Sequence, residues 1–199
     1  MNAGATAERV YDALKRRLLA GTIAPGEKLE PGAFADELGS SVTPVRDALH
    51  RLAGERLVET RTSEGFHLPL VTEPGLRDLY SWNAILARLA IGAARQPTPA
   101  HVADQLAVDI ERATRQFFRL LGRRSGNVEL AAQIEAANDR LGAARAAERR
   151  VLTGLEPELR AMAVTLDTGT PAALRTLVAA YHRRRLRAVS AIVDALYRF

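Results

Sequence analysis

The chain has 199 residues, 47% hydrophobic and 5% aromatic, with no cysteine and a formal net charge of +5. That length suits one ordinary domain or two small ones, and that apolar fraction excludes wholesale disorder. The missing cysteines exclude disulfides and thiolate metal sites. No uncharged run reaches ten residues and no signal-peptide core opens the chain, so no membrane span and a cytoplasmic location are expected.

From Thr6 to Ala20, apolar Val10, Leu14 and Leu18 recur every four residues beside Tyr11 and Ala13, which predicts an amphipathic helix closed by Gly21. Ala24-Pro25-Gly26-Glu27 reads as a turn and Lys28-Leu29-Glu30 as a short extended piece. A second helix is expected from Ala33 to Leu38, stopped by Gly39. After Ser40-Ser41-Val42, a third runs from Pro44 to about Ala53. Thr43 is its expected N-cap, because its hydroxyl can accept from a free first-turn amide. Pro44 follows where a missing N–H does no harm. Val45, Ala48, Leu49 and Leu52 form one buried stripe, while Arg46, His50 and Arg51 point elsewhere. Two short helices around a Gly-containing turn make a helix-turn-helix pattern. Leu57 to Thr62 alternates like a strand, Ser63-Glu64-Gly65 closes a hairpin, and Phe66-His67-Leu68 returns. Three helices and a small hairpin make a winged helix.

Pro69 to Pro74 reads as a linker, and everything beyond it reads as helix. Thr72 caps a helix from about Pro74 to Arg95, and Thr98-Pro99 one from Pro99 to Arg124. Others are expected from Val128 to Leu152 and from Pro157 to Leu166. Thr170-Pro171 caps the last, whose stripe includes Leu174, Val178, Tyr181, Val189, Ile192 and Leu196. The expected fold is mainly α: a winged helix-turn-helix with a small β-hairpin over residues 1–70, then an antiparallel helical bundle over residues 71–199.

The run Thr43-Pro44-Val45-Arg46-Asp47-Ala48-Leu49 resembles the recognition helix of the GntR family of bacterial transcription regulators. The likeness covers about Val10 to Val71 and takes in Leu19-x-Gly21-x-Ile23-x-Pro25-Gly26-x-Lys28-Leu29. A winged helix followed by a helical bundle is similar to the FadR branch, and Ser125-Gly126-Asn127 after Phe117 resembles the FCD-type effector domain. The resemblance implies a homodimeric regulator of double-stranded DNA, expected to be a repressor, with an effector bound in the helical domain. It implies DNA contacts from Arg46, which can meet guanine O6 and N7 together, and from Thr43 at a phosphate. His50 and Arg51 lie on the same helix. In the wing, Gly65 allows close backbone approach, and His67 or Arg61 is expected to reach a groove or phosphate. The bland alternative is that Arg46 only pairs with Glu37 or Asp36.

Two positions depart from the pattern. Val42 stands where the family has Arg, and Glu64 where the wing commonly has a basic residue. Residues 1–70 also carry a net charge of −1, against +6 for residues 71–199, so phosphate attraction must come from a local patch.

The resemblance also implies a metal site of one Asp and three His. Aligned on this chain, those positions fall on Thr114, Phe118, Leu159 and Tyr181, and the carboxylate-holding Arg falls on Asn83. Phe and Leu offer no metal donor. Without that Arg a small carboxylate is not the expected ligand; a metal-free bundle without cofactor is expected, with a less polar pocket lined by Trp82, Asn83, Thr114, Phe118 and Tyr181, the alternative being ordinary core packing with no effector. His182 reads as a lone surface or core histidine. Arg183-Arg184-Arg185 with Arg187 reads as a solvated face. No P-loop, dinucleotide fingerprint, Glu-x-x-His pair or His-Glu-x-x-His occurs, which argues against an enzyme. The remaining rival is a helical interaction module that has kept the winged helix without its DNA binding.

Overall fold

The computed structural model describes residues 3–94 and 109–198. They divide into two compact units, with the boundary between Val71 and Thr72. The described residues are mainly helical, with one small antiparallel sheet.

The first unit holds α1 (Ala3–Leu19), β1 (Lys28–Leu29), α2 (Pro31–Leu38), α3 (Val42–Gly54), β2 (Glu59–Arg61) and β3 (Gly65–His67). Val10, Leu14 and Leu18 of α1 share a core with Val45, Leu49 and Leu52 of α3 and with Leu29, Phe34 and Phe66. Each such side chain contributes roughly 1.5–3 kcal/mol on burial. α2 ends at Gly39, whose left-handed backbone (φ 58°) donates to Ala35 and Asp36.

Three expectations are corrected here. Thr43 is not the N-cap of α3. Ser41 takes the extended cap backbone (φ −83°, ψ 164°), no side chain closes the helix end, and Thr43 sits exposed in the first turn. Pro44 becomes the third helical residue, where its N–H would lack an intrahelical partner anyway. The strand expected from Leu57 shrinks to Glu59–Arg61. Arg56 adopts a left-handed backbone (φ 60°), and the Leu57 amide donates back to Leu52 at 3.0 Å. Leu57 and Val58 are thus spent on closing α3 and burying its end. The hairpin also gains a third strand: β1 pairs with β3, Leu29 opposite Phe66, giving the order β1-β3-β2.

The second unit holds α4 (Glu73–Ala93), α5 (Ile110–Arg124), α6 (Val128–Arg140), α7 (Gly142–Val151), α8 (Leu155–Thr168) and α9 (Pro171–Tyr197). Side-chain caps start four of them. Thr72 accepts from Gly75 (3.2 Å), Asp109 from Glu111 (3.0 Å), Asn127 from Leu130 (3.0 Å) and Thr170 from Ala173 (3.2 Å). Pro74 belongs to the first turn of α4 rather than to a linker. The helix expected from Pro99 to Arg124 falls partly outside the described residues. Extended Asp109 caps a fresh start at Ile110. The single helix expected from Val128 to Leu152 is two, divided at Leu141. α9 lies against α4, α7 and α8.

No helix of the described residues is long and apolar enough to cross a membrane.

Candidate nucleic-acid interface and effector site

The outward face of α3 carries Thr43, Arg46, Asp47 and His50, all exposed, at helical spacing. Arg46 has no ion pair or hydrogen bond among the described residues. Glu37, its expected rival partner, pairs instead with Arg17 of α1 at 3.3 Å. The buried stripe of Val45, Ala48, Leu49 and Leu52 forces this orientation, because four apolar residues can be inside only if Arg46 is out. His50 is exposed and meets the ring of Phe66 edge-on at 4.9 Å, which ties α3 to the sheet.

Arg51 is placed differently from the expectation. Its guanidinium lies 3.7 Å from the Tyr11 ring centre and donates to Glu8 at 2.9 Å, so it clamps α3 to α1. Nearby, Tyr11 donates to Glu55 at 2.5 Å and Lys15 pairs with the same carboxylate at 2.7 Å.

In the wing, Gly65 has φ 88°, and a Cβ there would meet nothing within 4 Å. The tip can therefore approach a surface closely. Arg61 is half-buried between Glu59 (3.4 Å) and Glu64 (3.9 Å), so its charge is already balanced. His67 is corrected: it is 6% exposed, opposite Lys28 and Glu59 in the sheet, and its Nδ1 has no hydrogen-bond partner. A ring enclosed in this way does not reach outward.

The interior of the second unit overturns the expectation of a less polar pocket. Buried together there are Tyr80, Asn83, Asn138, Arg145, Glu148, Tyr181, His182 and Arg185. Arg185, read from sequence as part of a solvated face, is 2% exposed. It pairs with Glu148 at 3.0 Å and Glu158 at 2.6 Å, and its guanidinium lies 3.4 Å from the Tyr181 ring centre. Tyr80 donates to Glu148 at 2.6 Å. Burial first, and then the Glu148 charge, push the Tyr80 phenol well above its ordinary range, so it stays a donor. Arg145 donates to Asn138 at 2.9 Å and faces the Phe118 ring.

Of the expected lining residues, Asn83, Thr114, Phe118 and Tyr181 are buried, and Thr114 and Tyr181 line one internal cavity of about 10 Å³. Trp82 is corrected: it is 42% exposed, turned about 100° round α4 from buried Asn83. Phe118, Tyr181 and His182 form an edge-on aromatic cluster.

His182 is neither a surface residue nor a free ligand. It meets the Val178 carbonyl at 2.7 Å and Asn83 Oδ1 at 2.9 Å. Both ring nitrogens are therefore used, and Thr114, Phe118 and Leu159 supply no donors beside them. The family's metal does not fit these residues, and no three of His, Asp and Glu converge to hold one among the described residues.

Burial lowers the His182 imidazole from 6.5 to about 4. The unfolded chain thus binds a proton before the folded one, and stability falls as pH drops from about 6.5 towards about 4. The full loss is roughly 3 kcal/mol. Chemical denaturation at pH 7 and pH 4.5 should show this slope, and His182→Asn should flatten it.

Against known proteins, residues 6–68 match the model of the bacterial regulatory proteins of the gntR family. That match lies wholly within the first unit. The Nta operon transcriptional regulator of Aminobacter aminovorans is 33% identical over 104 residues, covering 52% of this chain and 45% of that protein. McbR of Escherichia coli K12, a transcriptional regulator of the helix-turn-helix type, is 35% identical over 85 residues, covering 43% of this chain and 37% of that protein. The chain thus spans under half the length of these curated relatives. Among solved structures, a GntR protein from Rhodococcus sp. RHA1 superposes with a TM-score of 0.80 at 18% identity, over 98% of this chain and 100% of that one. Escherichia coli McbR/YncC gives 0.72 at 20%, over 93% and 97%. At such identities the likeness establishes the fold alone. Family and relatives are transcription regulators, not enzymes.

The first unit brings Thr43, Arg46 and His50 to one face, engages Arg51 with Glu8 and Tyr11, and buries His67. In the helical unit, sequence reasoning missed Arg145, Glu148 and Arg185. A signal was present. Arg185 stands seven residues after Val178 and four before Val189, in the apolar stripe of α9. Arg145 and Glu148 follow Leu141 at spacings of four and seven.

Proposed function

We propose that the chain is a cytoplasmic, homodimeric, sequence-specific DNA-binding regulator, acting as a repressor and controlled by an effector in its helical unit. The observation that carries this reading is Arg46, exposed and unpaired on the outward face of α3. An α-helix fits the major groove, and a free guanidinium fork there matches a guanine edge. Thr43 and the uncapped amides at the start of α3 would take a phosphate. In the helical unit, an effector that binds one arrangement of the paired modules better than another would shift operator affinity.

Pairing draws support from α4, where Trp82, Ile85 and Leu89 are 42%, 42% and 53% exposed along one face. Beside them runs a groove of about 380 Å³ lined by Ile85, Ile91, Val178 and Leu186. A run of large exposed apolar side chains suits a self-complementary contact between two copies. Leu89→Glu should convert dimer to monomer in sedimentation velocity while leaving the thermal midpoint of the isolated chain unchanged. A dimer that survives the charge would place pairing elsewhere.

Footprinting and gel retardation on the region upstream of the protein's own gene test the reading as a whole. The expected result is a protected, two-fold related site whose affinity falls steeply with salt. The rival, a helical interaction module, draws on the net negative wing charge of Glu59, Arg61 and Glu64. It predicts no salt-sensitive shift.

A further inference from the structure

We infer that Val42 is a specificity-determining residue of α3, reading the C5 methyl of a thymine in each operator half-site. This deepens the DNA-binding reading above and rests on it. Val42 is the first residue of α3, directly behind the extended cap residue Ser41. It is 40% exposed and lies outside the hydrophobic core of the first unit. Its side chain is therefore not spent on folding the module. Val42 stands four residues before Arg46, so the two side chains neighbour each other along one side of the helix. The leading end of a groove-entering helix is the part whose side chains meet base edges. An isopropyl group and a guanidinium are thus presented together, one turn apart.

The chemistry of that isopropyl group decides which base pair it accepts. In the major groove the bases present hydrogen-bond donors and acceptors, and the thymine methyl is the one apolar feature. Valine can neither donate nor accept. Pressed against guanine, or against the amino group of cytosine, it would strip water from a polar atom and leave that atom unpaired. Against thymine it covers a methyl group, and both apolar surfaces leave water. Branching at Cβ restricts χ1, so little rotamer freedom is lost in the contact. Four residues of helix rise by about 6 Å, which is less than two base steps of about 3.4 Å each. The thymine therefore falls within about two base steps of the guanine that Arg46 meets.

Selection of duplexes from a randomised pool by the full chain, followed by gel retardation on the selected site, tests the assignment. The expected half-site carries a constant T·A pair within about two base steps of a constant G·C pair. Replacing that thymine by deoxyuridine removes only the methyl group. It should weaken binding by the wild type roughly fourfold for each half-site, the worth of one buried methyl. Val42→Ala should bind the thymine and uracil sites equally, with the wild-type salt slope and little change in thermal midpoint, because neither a charge nor a core contact is lost. Val42→Arg should move the preference at the same position from T·A to G·C. Selected sites without a constant T·A pair overturn the assignment. So does a uracil site that the wild type binds as tightly as the thymine site, or a uracil penalty that persists in Val42→Ala. Each of these leaves the regulator reading standing, since a sequence has still been selected. A chain that enriches no sequence from the pool overturns both.

Discussion

Replacing Arg46 with alanine is expected to weaken operator binding by about 1–3 kcal/mol, roughly 5- to 150-fold in Kd, with no change in the thermal midpoint. The two halves of that expectation come from one observation. Arg46 is exposed and makes no hydrogen bond or ion pair among the described residues, so folding loses little with it, whereas a base edge loses a bidentate partner. Arg46→Lys separates the kinds of contact. Lysine restores charge but not the planar fork, so affinity for random duplex should return while discrimination among sites does not. The salt slope gives an independent check. If Arg46 reads a base, the slope stays near the wild-type value; if it neutralises a phosphate, the slope falls by about one. A variant that keeps full operator affinity would remove Arg46 from the interface.

The second large effect concerns the buried charges. Glu148→Ala leaves Arg185 with only the partly exposed Glu158 and strips Tyr80 of its acceptor. Breaking one side of such a pair costs about 3–5 kcal/mol, on the order of 10 °C in the thermal midpoint for a chain of this size. Removing both charges together should cost far less. The double variant Glu148→Met with Arg185→Met replaces a desolvated pair by apolar volume and is expected to recover most of the loss. Calorimetry of Glu148→Met, Arg185→Met and the double closes the cycle. If the double is as unstable as the singles added together, the pair does not act as a unit.

The fold was readable in this sequence wherever one rule governed a residue. Val10, Leu14 and Leu18 announced α1 by spacing, and Thr72 and Thr170 announced α4 and α9 by capping chemistry. Boundaries failed where two rules competed. Thr43 and Ser41 are both good caps, and backbone geometry chose Ser41. Leu57 and Val58 have strand patterning, but the left-handed turn at Arg56 used them to close α3. The front of α3 was legible because its apolar back leaves Arg46 one direction. Arg51 and His67 were not, because each is claimed by a partner distant in sequence, Glu8 and Tyr11 for one and the sheet for the other. The helical interior was misread for a different reason. With 26 of 28 basic residues being Arg, buried guanidiniums could not be told from surface ones by composition. Arg145 and Arg185 occupy apolar-stripe positions, neither of which aligns with the family's metal site.

The carboxylates flanking Arg61 bear on how a regulator of this kind distributes itself in a cell. A bacterial chromosome offers millions of wrong addresses, and loose attraction to any phosphate keeps most copies parked on them. A wing whose Glu59, Arg61 and Glu64 sum to −1, on a module of net charge −1, would forgo much of that attraction. For the DNA-binding regulator proposed above, more molecules would then stay in free solution, and fewer copies would suffice to keep a single promoter occupied.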